Sequence, residues 1–335
     1  MTDLKVLITA PFSELGLKTL RDAKLDLQYQ SWLETGKLYM GDSLAKVIIE
    51  GGYEIVVVEG DEVKEDVIEK TSLKLIGCVR NGPNNISVSA ATRKKIPVIS
   101  APGRNTVAVA ELAIGLMLSV ARKVVSSGHF VRNDYYVDDF GDFARMYRTL
   151  MGVELHGRTV GIIGLGAIGF EVAKRLQAFG ARLLVYDPYV DQAKMKQVGA
   201  EQVGLDELMK RSDIVTIHCP PTEETKGMIG TRQIAMMKKT AILINTARAS
   251  ITDENALLEA LKSGAIAGAG LDVFTIEPVD SDNIFLGLDN VVVMPHMGGN
   301  TRETVDRQSM MVANDIVAFL KGKKPAHILN PEVSH

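Results

Sequence analysis

The stretch TVGIIGLGAIGFEVAKRL constrains this chain more than any other, because an apolar run, a Gly-x-Gly-x-x-Gly turn and an amphipathic run follow one another without a break. The pattern reads as strand, turn and helix. Gly164 makes the tight turn, Gly166 lets a phosphate approach the backbone, and Gly169 lets the helix pack close to the strand. An anion placed there meets the positive end of the helix that opens at Ala167 and Ile168. The next strand-like run, LLVYD, ends in Asp187, 21 residues past Gly166. A carboxylate at that offset accepts both hydroxyls of an adenosine ribose and repels a 2′-phosphate, which favours NAD over NADP. A tight turn in an ordinary packed unit, with Asp187 as a surface cap, is the plain alternative. It leaves the joint placement of strand, turn, helix and acid unexplained.

The rest of the chain repeats the same grammar. Up to about position 100, short apolar runs (KVLIT, EIVVVEG, LKLIGCV, PVISA) alternate with amphipathic ones (LGLKTLRDA, KEDVIEK, SAATRKK). From Arg158 a second series runs TVGIIG, LLVYD, DIVTIHCP, AILINTA, AGAGLDVF and VVVMPH, with helices expected from Ile168, near Lys194 and from Asp253. Alternation of this kind argues for parallel sheets covered on both faces, so the expected fold class is α/β with two doubly wound domains. A chain of 335 residues, 46% hydrophobic and 24% charged, is long enough for two cores. Val107 to Ala121 reads as a buried helix, since it contains Glu111 and Gly115 and falls short of the roughly 20 apolar residues of a membrane span. The Tyr-, Asp- and Arg-rich stretch from His129 to Met151 reads as a linker. TRETVDRQSMMVANDIVAFLKGKKP reads as one amphipathic helix stopped by Gly322 and Pro325.

Charge and cysteine content narrow the function classes. A formal net charge of −3 with scattered Lys and Arg offers no patch for a phosphate backbone, so nucleic acid is not an expected partner. Neither is a membrane. The two cysteines, Cys78 and Cys219, lie in apolar runs without metal-type or CxxC spacing, so no metal site is expected. MTDLKVLIT runs straight into a strand without the features of a signal peptide. Together these suggest a cytoplasmic protein in a reducing compartment.

Reducing a 2-oxo acid requires a hydride donor, a cation for the carboxylate, and an acid that protonates the developing alkoxide. Arg248 follows the strand AILINT, where α/β sheets gather ligands, and its planar fork suits a carboxylate. His296 follows VVVMP and precedes Gly298 and Gly299, which permit close approach of backbone to ligand. Histidine is the natural proton donor near neutral pH. Glu277, in the turn-like IEP, would favour the imidazolium form if paired with it. Singly, each has a plain reading as a surface cation, a turn residue or a solvated loop charge. All three follow strands of the series that carries the glycine turn.

These segments resemble the D-2-hydroxyacid dehydrogenase family, which includes D-3-phosphoglycerate dehydrogenases and glyoxylate/hydroxypyruvate reductases. The resemblance covers nearly the whole chain and is strongest in GRTVGIIGLGAIGFEVAKRLQAFGARLLVYDP, DIVTIHCPPTEETKGMIG, ILINTARAS, AGAGLDVFTIEP and VVVMPHMGGNTRET. It implies a Rossmann NAD domain over 106–301, a flavodoxin-like substrate domain from 1–105 plus 302–335, an active site in the cleft between them, and a homodimer. It assigns substrate binding to Arg248, orientation of the histidine to Glu277 and acid/base work to His296. It also implies cofactor contacts at Ala167, Ile168, Asp187, His218, Cys219, Pro220, Thr225, Thr246, Ala247, Arg248, Asp272, His296 and Gly299, with a small 2-oxo or 2-hydroxy acid of the phosphoglycerate or glycerate/hydroxypyruvate type as substrate. The same architecture serves transcriptional corepressors, so an NAD(H)-sensing protein with little turnover is the alternative.

Three departures bear on the substrate. Where many members carry a longer glycine-rich loop ending in Asp-Asn-Ile-Asp, this chain reads Arg80-Asn81-Gly82-Pro83-Asn84-Asn85-Ile86-Ser87. Arg80, Asn81, Gly82 and Pro83 are the expected substrate contacts; Arg80, Asn81 and Arg104 suit a polar or phosphorylated tail, with plain surface solvation the equally weighted alternative. Ala249 stands where glycine is usual, which is tolerated unless φ there is positive. The segment from Tyr135 to Met151 is longer than common and is expected to pack across a dimer, lending Arg145 or Arg148 to the neighbour. No regulatory domain is expected beyond Pro325.

Overall fold

Continuous apolar strands bury both faces, and the computed structural model, which describes residues 4–134 and 136–333, contains two sheets of that kind. The chain divides into two compact units, unit 1 formed by 1–104 with 300–335 and unit 2 by 105–299.

Unit 1 contains β1 (Lys5–Ile8), β2 (Asp26–Tyr29), β3 (Ile55–Val58), β4 (Leu75–Cys78) and β5 (Val98–Ile99), all parallel, in the order β2-β1-β3-β4-β5. This is the flavodoxin-like order, with its reversal between β1 and β3. Side chains alternate between two cores: Val6, Ile8, Ile55 and Val57 on one face, Leu7, Val56, Val58 and Ile76 on the other. The C-terminal helix Arg302–Leu320 begins at Thr301, whose hydroxyl accepts from Thr304 N at 3.1 Å, and lies against the helix Glu14–Asp22. Gly322, at φ 65°, lies just beyond its end.

Unit 2 contains β6 (Thr159–Ile163), β7 (Arg182–Tyr186), β8 (Glu201–Gln202), β9 (Ile214–Ile217), β10 (Ile242–Asn245), β11 (Gly268–Leu271) and β12 (Val291–Val293). They too are parallel, in the order β12-β11-β10-β9-β6-β7-β8, which is the Rossmann arrangement with one further strand. Ile163, Val215, Ile217 and Leu243 line one core and Val160, Ile162, Ile214 and Ile244 the other. The helix Thr106–Ala121 packs on β10, β11 and β12 and is buried along most of its length.

The expected linker is a different object. The chain leaves unit 1 at Arg104 and re-enters it at Asn300, while the segment after Ala121 is helical and belongs to unit 2. Val124–His129, Phe130–Asp134 and Phe140–Thr149 form successive turns without a buried side chain among those described. Polar composition suggested a linker because this amphipathic segment has no core of its own to face. Tyr135, with which the expected insertion begins, lies outside the described residues. Among the described residues no helix is long and apolar enough to cross a membrane and no cluster of His, Cys, Asp and Glu suits a metal.

Candidate active site

All strands of unit 2 run the same way, so one edge of its sheet collects every strand's carboxyl end. From β7 across β6, β9, β10 and β11 to β12 that edge carries Asp187, the glycine turn, His218-Cys219-Pro220, Thr246-Ala247-Arg248, Asp272 to Glu277, and His296. Neighbouring strands lie about 4.8 Å apart, which puts the ends of β10 and β12 roughly 10 Å apart, the reach of two side chains around a small acid.

The three glycines of the turn differ in what they allow. Gly164 has φ 91°, and a Cβ there would stand 2.7 Å from Cys219 N. At Gly169 a Cβ would collide with Gly164 O, so the helix Ala167–Ala178 can sit this close only on glycine. At Gly166 a Cβ would meet nothing within 4 Å. That open space lies at the start of the helix, where the N–H groups of Ala167, Ile168 and Gly169 have no partner a turn earlier. Asp187 accepts from Leu165 N at 2.8 Å and from Tyr189 N at 2.9 Å. An ionised carboxylate has about four acceptor positions, so two remain for hydroxyls.

His218 and Cys219 close the floor beside the turn. Burial pushes the His218 imidazole down to about 3 and the Cys219 thiol up to about 11, so both are neutral near pH 7. The His218 Nε2 lies 2.9 Å from the Thr216 hydroxyl. Thr225, an expected cofactor contact, donates to Pro220 O at 2.7 Å and accepts from Thr222 N at 2.7 Å, so its hydroxyl folds the loop after Pro220. Thr246 Oγ1 is buried and makes no hydrogen bond, an orphan that a bound polar group would satisfy. The open cradle at Gly166, the helix start, Asp187 and this orphan fit a dinucleotide.

Arg248 is exposed on the turn after β10, with Nη1 donating to Ala247 O at 2.6 Å. The turn is built by Asn245, which the sequence reading did not single out. Its buried amide accepts from Ala247 N at 3.0 Å and donates to Arg248 O at 3.0 Å. The only signal was a polar residue closing an apolar strand. Ala249 is not among the residues with positive φ, so its methyl is accommodated.

His296 stands at φ 58°, in the left-handed region, with its N–H on Met294 O at 3.0 Å. That uncommon backbone is held by the buried Asp272, which accepts from Met297 N at 2.7 Å and Gly298 N at 2.8 Å. Burial raises the Asp272 carboxyl above the usual range, while these two amides pull the other way. The His296 Nδ1 lies 2.6 Å from Glu277 Oε2, and Glu277 Oε1 accepts from Phe274 N at 3.0 Å. The pair is partly solvent-exposed, with side chains 43% and 34% accessible. Glu277 thus fixes which ring nitrogen of His296 remains for a ligand: Nε2.

Residues 114–298 match the family model described as the D-isomer specific 2-hydroxyacid dehydrogenase, NAD binding domain. The chain belongs to the D-isomer specific 2-hydroxyacid dehydrogenase family. Among its relatives, a D-3-phosphoglycerate dehydrogenase of Archaeoglobus fulgidus is 40% identical over 98% of this chain, which spans 59% of that protein's length. A glyoxylate reductase of Korarchaeum cryptofilum is 38% identical, with 98% of this chain and 96% of the other covered. The apo structure of D-lactate dehydrogenase from Escherichia coli superposes with a TM-score of 0.81 at 26% identity, covering 97% of this chain and 99% of that one.

The remaining expected residues, Arg80, Asn81, Gly82 and Pro83, are in unit 1, just past the end of β4. Gly82 has φ 60°, and the half-buried Arg80 guanidinium makes no ion pair or hydrogen bond with any described residue. Arg104 is another matter. It is held by Glu59 at 2.9 Å and by Gln308 and is largely buried, so it is neither a solvated surface cation nor free of protein partners. Arg145 is likewise paired, with Asp142.

Proposed function

We propose that this protein transfers a hydride between NAD(H) and C2 of a small D-2-hydroxy or 2-oxo acid. The observation that carries the reading is the His296–Glu277 pair, 2.6 Å apart, on the sheet edge that also carries Arg248 and the glycine turn. The nicotinamide supplies the hydride when bound. Arg248 receives the substrate carboxylate in its fork and polarises the adjacent carbonyl. His296, protonated, gives its Nε2 proton to the oxygen that develops at C2, and Glu277 keeps hold of the Nδ1 proton throughout. Asp272 holds the amides of Met297 and Gly298 and so keeps His296 aimed.

Relatives named for 3-phosphoglycerate and for glyoxylate bracket the substrate as a short acid. A homodimer is supported by the apolar side chains exposed along the segment after Ala121, including Val124, Val131, Phe140, Tyr147 and Met151. Phe140, Phe143 and Tyr147 stack along one helix face, with successive centroids 6.0 and 5.6 Å apart. A cytoplasmic setting is supported by two free cysteines.

The test is NADH oxidation against glyoxylate, hydroxypyruvate, pyruvate and 3-phosphohydroxypyruvate, using NADH deuterated at its transferable hydrogen. The expected result is turnover of at least one acid with deuterium at C2 of the hydroxy acid formed. Tight NADH binding without reduction of any acid would overturn the reading in favour of a cofactor sensor.

A further inference from the structure

We propose that Glu254 is a positioning residue for the proton donor: its carboxylate holds the turn that carries Glu277, and through Glu277 it fixes His296. The inference rests on the hydride-transfer reading and adds a residue to it.

Between β11 and β12 the chain runs from 272 to 290 without helix or strand. A stretch of that length with no ladder of its own keeps its place only where side chains or buried groups pin it. Its start is pinned well. Asp272 N donates to Asn245 O at 3.0 Å, and Val273 and Phe274 are buried, the Phe274 ring lying 6.5 Å from that of Phe285. From Thr275 to Pro278 every residue is exposed, and among the described residues no backbone–backbone hydrogen bond ties these four to the rest of unit 2. Glu277 lies in this exposed stretch, and its bond from Phe274 N at 3.0 Å curls the turn without anchoring it. The anchor comes from elsewhere in unit 2: Glu254 Oε1 accepts from Thr275 N at 2.9 Å.

Glu254 is itself firmly set. It opens the helix Glu254–Lys262, whose cap Asp253 accepts from Asn255 N at 3.0 Å and Ala256 N at 3.1 Å, while Asp253 N donates to Ile229 O at 3.0 Å. Upstream lies the turn of Arg248, closed by Asn245. The carboxylate therefore links the loop after β10, which carries Arg248, to the loop after β11, which carries Glu277. The contact of Glu277 with His296 at 2.6 Å continues the link to the loop after β12.

A carboxylate in a first helical turn also favours the helix by its charge alone. The two roles make different demands. Holding Thr275 N–H needs reach and an acceptor oxygen, whereas the helix start needs only the charge. Thr275 is exposed, so without Glu254 its N–H turns to water and folding loses little. What is lost is the fixed place of Glu277, and a misplacement of about 1 Å at a reacting group costs up to about 100-fold in rate.

The experiment compares three variants of the full chain, each checked by circular dichroism. Glu254→Gln keeps the reach and an acceptor oxygen without the charge, Glu254→Asp keeps the charge but falls one methylene short, and Glu254→Ala has neither. With NADH and the 2-oxo acid that the wild type reduces fastest, kcat should fall at least about tenfold in Glu254→Asp and Glu254→Ala and stay within about twofold in Glu254→Gln. KM for the acid and Kd for NADH should stay within about twofold in all three, because Arg248 and the glycine turn are held by other groups. A residue that acts through Glu277 adds nothing once Glu277 is gone, so Glu254→Asp should cost less than about twofold on a Glu277→Gln background. A second readout needs no turnover. The ring nitrogens of His296, identified in NMR spectra of isotope-labelled protein by their loss in His296→Asn, should shift in Glu254→Asp and Glu254→Ala and match the wild type in Glu254→Gln. These signals decide the inference even if no acid is reduced, an outcome that would sink the hydride-transfer reading alone. Wild-type ring signals in a folded Glu254→Asp protein overturn the inference, as does a Glu254→Gln protein as impaired as Glu254→Asp or a full loss on the Glu277→Gln background. If Glu254→Ala does not fold, the Asp and Gln variants decide.

Discussion

His218 and His296 follow two strands of one sheet, β9 and β12, at the same edge, yet their surroundings differ. Burial pushes the His218 imidazole down to about 3 beside the Thr216 hydroxyl, so it stays neutral far below the usual histidine range. His296 is partly exposed and has the Glu277 carboxylate 2.6 Å from its Nδ1, so its Nε2 is the ring nitrogen left for a ligand. This difference has a consequence for stability. The folded-state pKa of His218 is depressed to about 3, whereas an unfolded chain binds that proton near 6.5, so its contribution is whole above pH 6.5 and is lost as pH falls toward 3. By pH 5 the loss amounts to up to about 2 kcal/mol. Urea unfolding of His218→Asn should therefore show a shallower decline between pH 7 and 5 than the wild type. Parallel declines would mean that His218 titrates normally.

At the level of elements, the glycine turn separates folding from ligand binding. Gly166→Ala puts a methyl into open space at φ −66°, so thermal stability should stay close to wild type while NADH affinity drops at least about tenfold, because the methyl occupies the approach to the helix amides. Gly169→Ala drives a Cβ into Gly164 O and should lower Tm by several degrees, the scale of an overpacked backbone contact. Equal effects of the two changes on Tm would contradict this division. The elements also explain what was readable in advance. Central strands such as IVVV and ILIN are apolar throughout because both faces are covered, and they stood out. The edge strands β2 and β8 read DLQY and EQ, carry few apolar groups, and gave no such signal. The helices after Ala121 were hidden for a related reason, since none of their described side chains is buried in a core.

For the molecule as a whole, residues with a fixed chemical partner were more legible than residues that act through networks. Arg248, Glu277 and His296 each follow a strand of the series bearing the glycine turn, and the parallel topology sets those strands, β10, β11 and β12, side by side, with His296 against Glu277. Asn245 and Glu59 were not legible, because what each of them holds depends on neighbours distant in sequence or on a loop's shape: Asn245 on the turn it folds, Glu59 on Arg104 45 residues away. The pairing of Arg104 was hidden for the same reason. Turnover requires cofactor, carboxylate fork and proton donor in one molecule, so it is the property that tests their assembly. The most direct measurement is kcat for NADH-dependent reduction by His296→Asn, taken beside the Kd for NADH on the same preparation. The account predicts a fall in kcat of at least about 100-fold with NADH binding nearly unchanged. Near-normal kcat in that variant would contradict it.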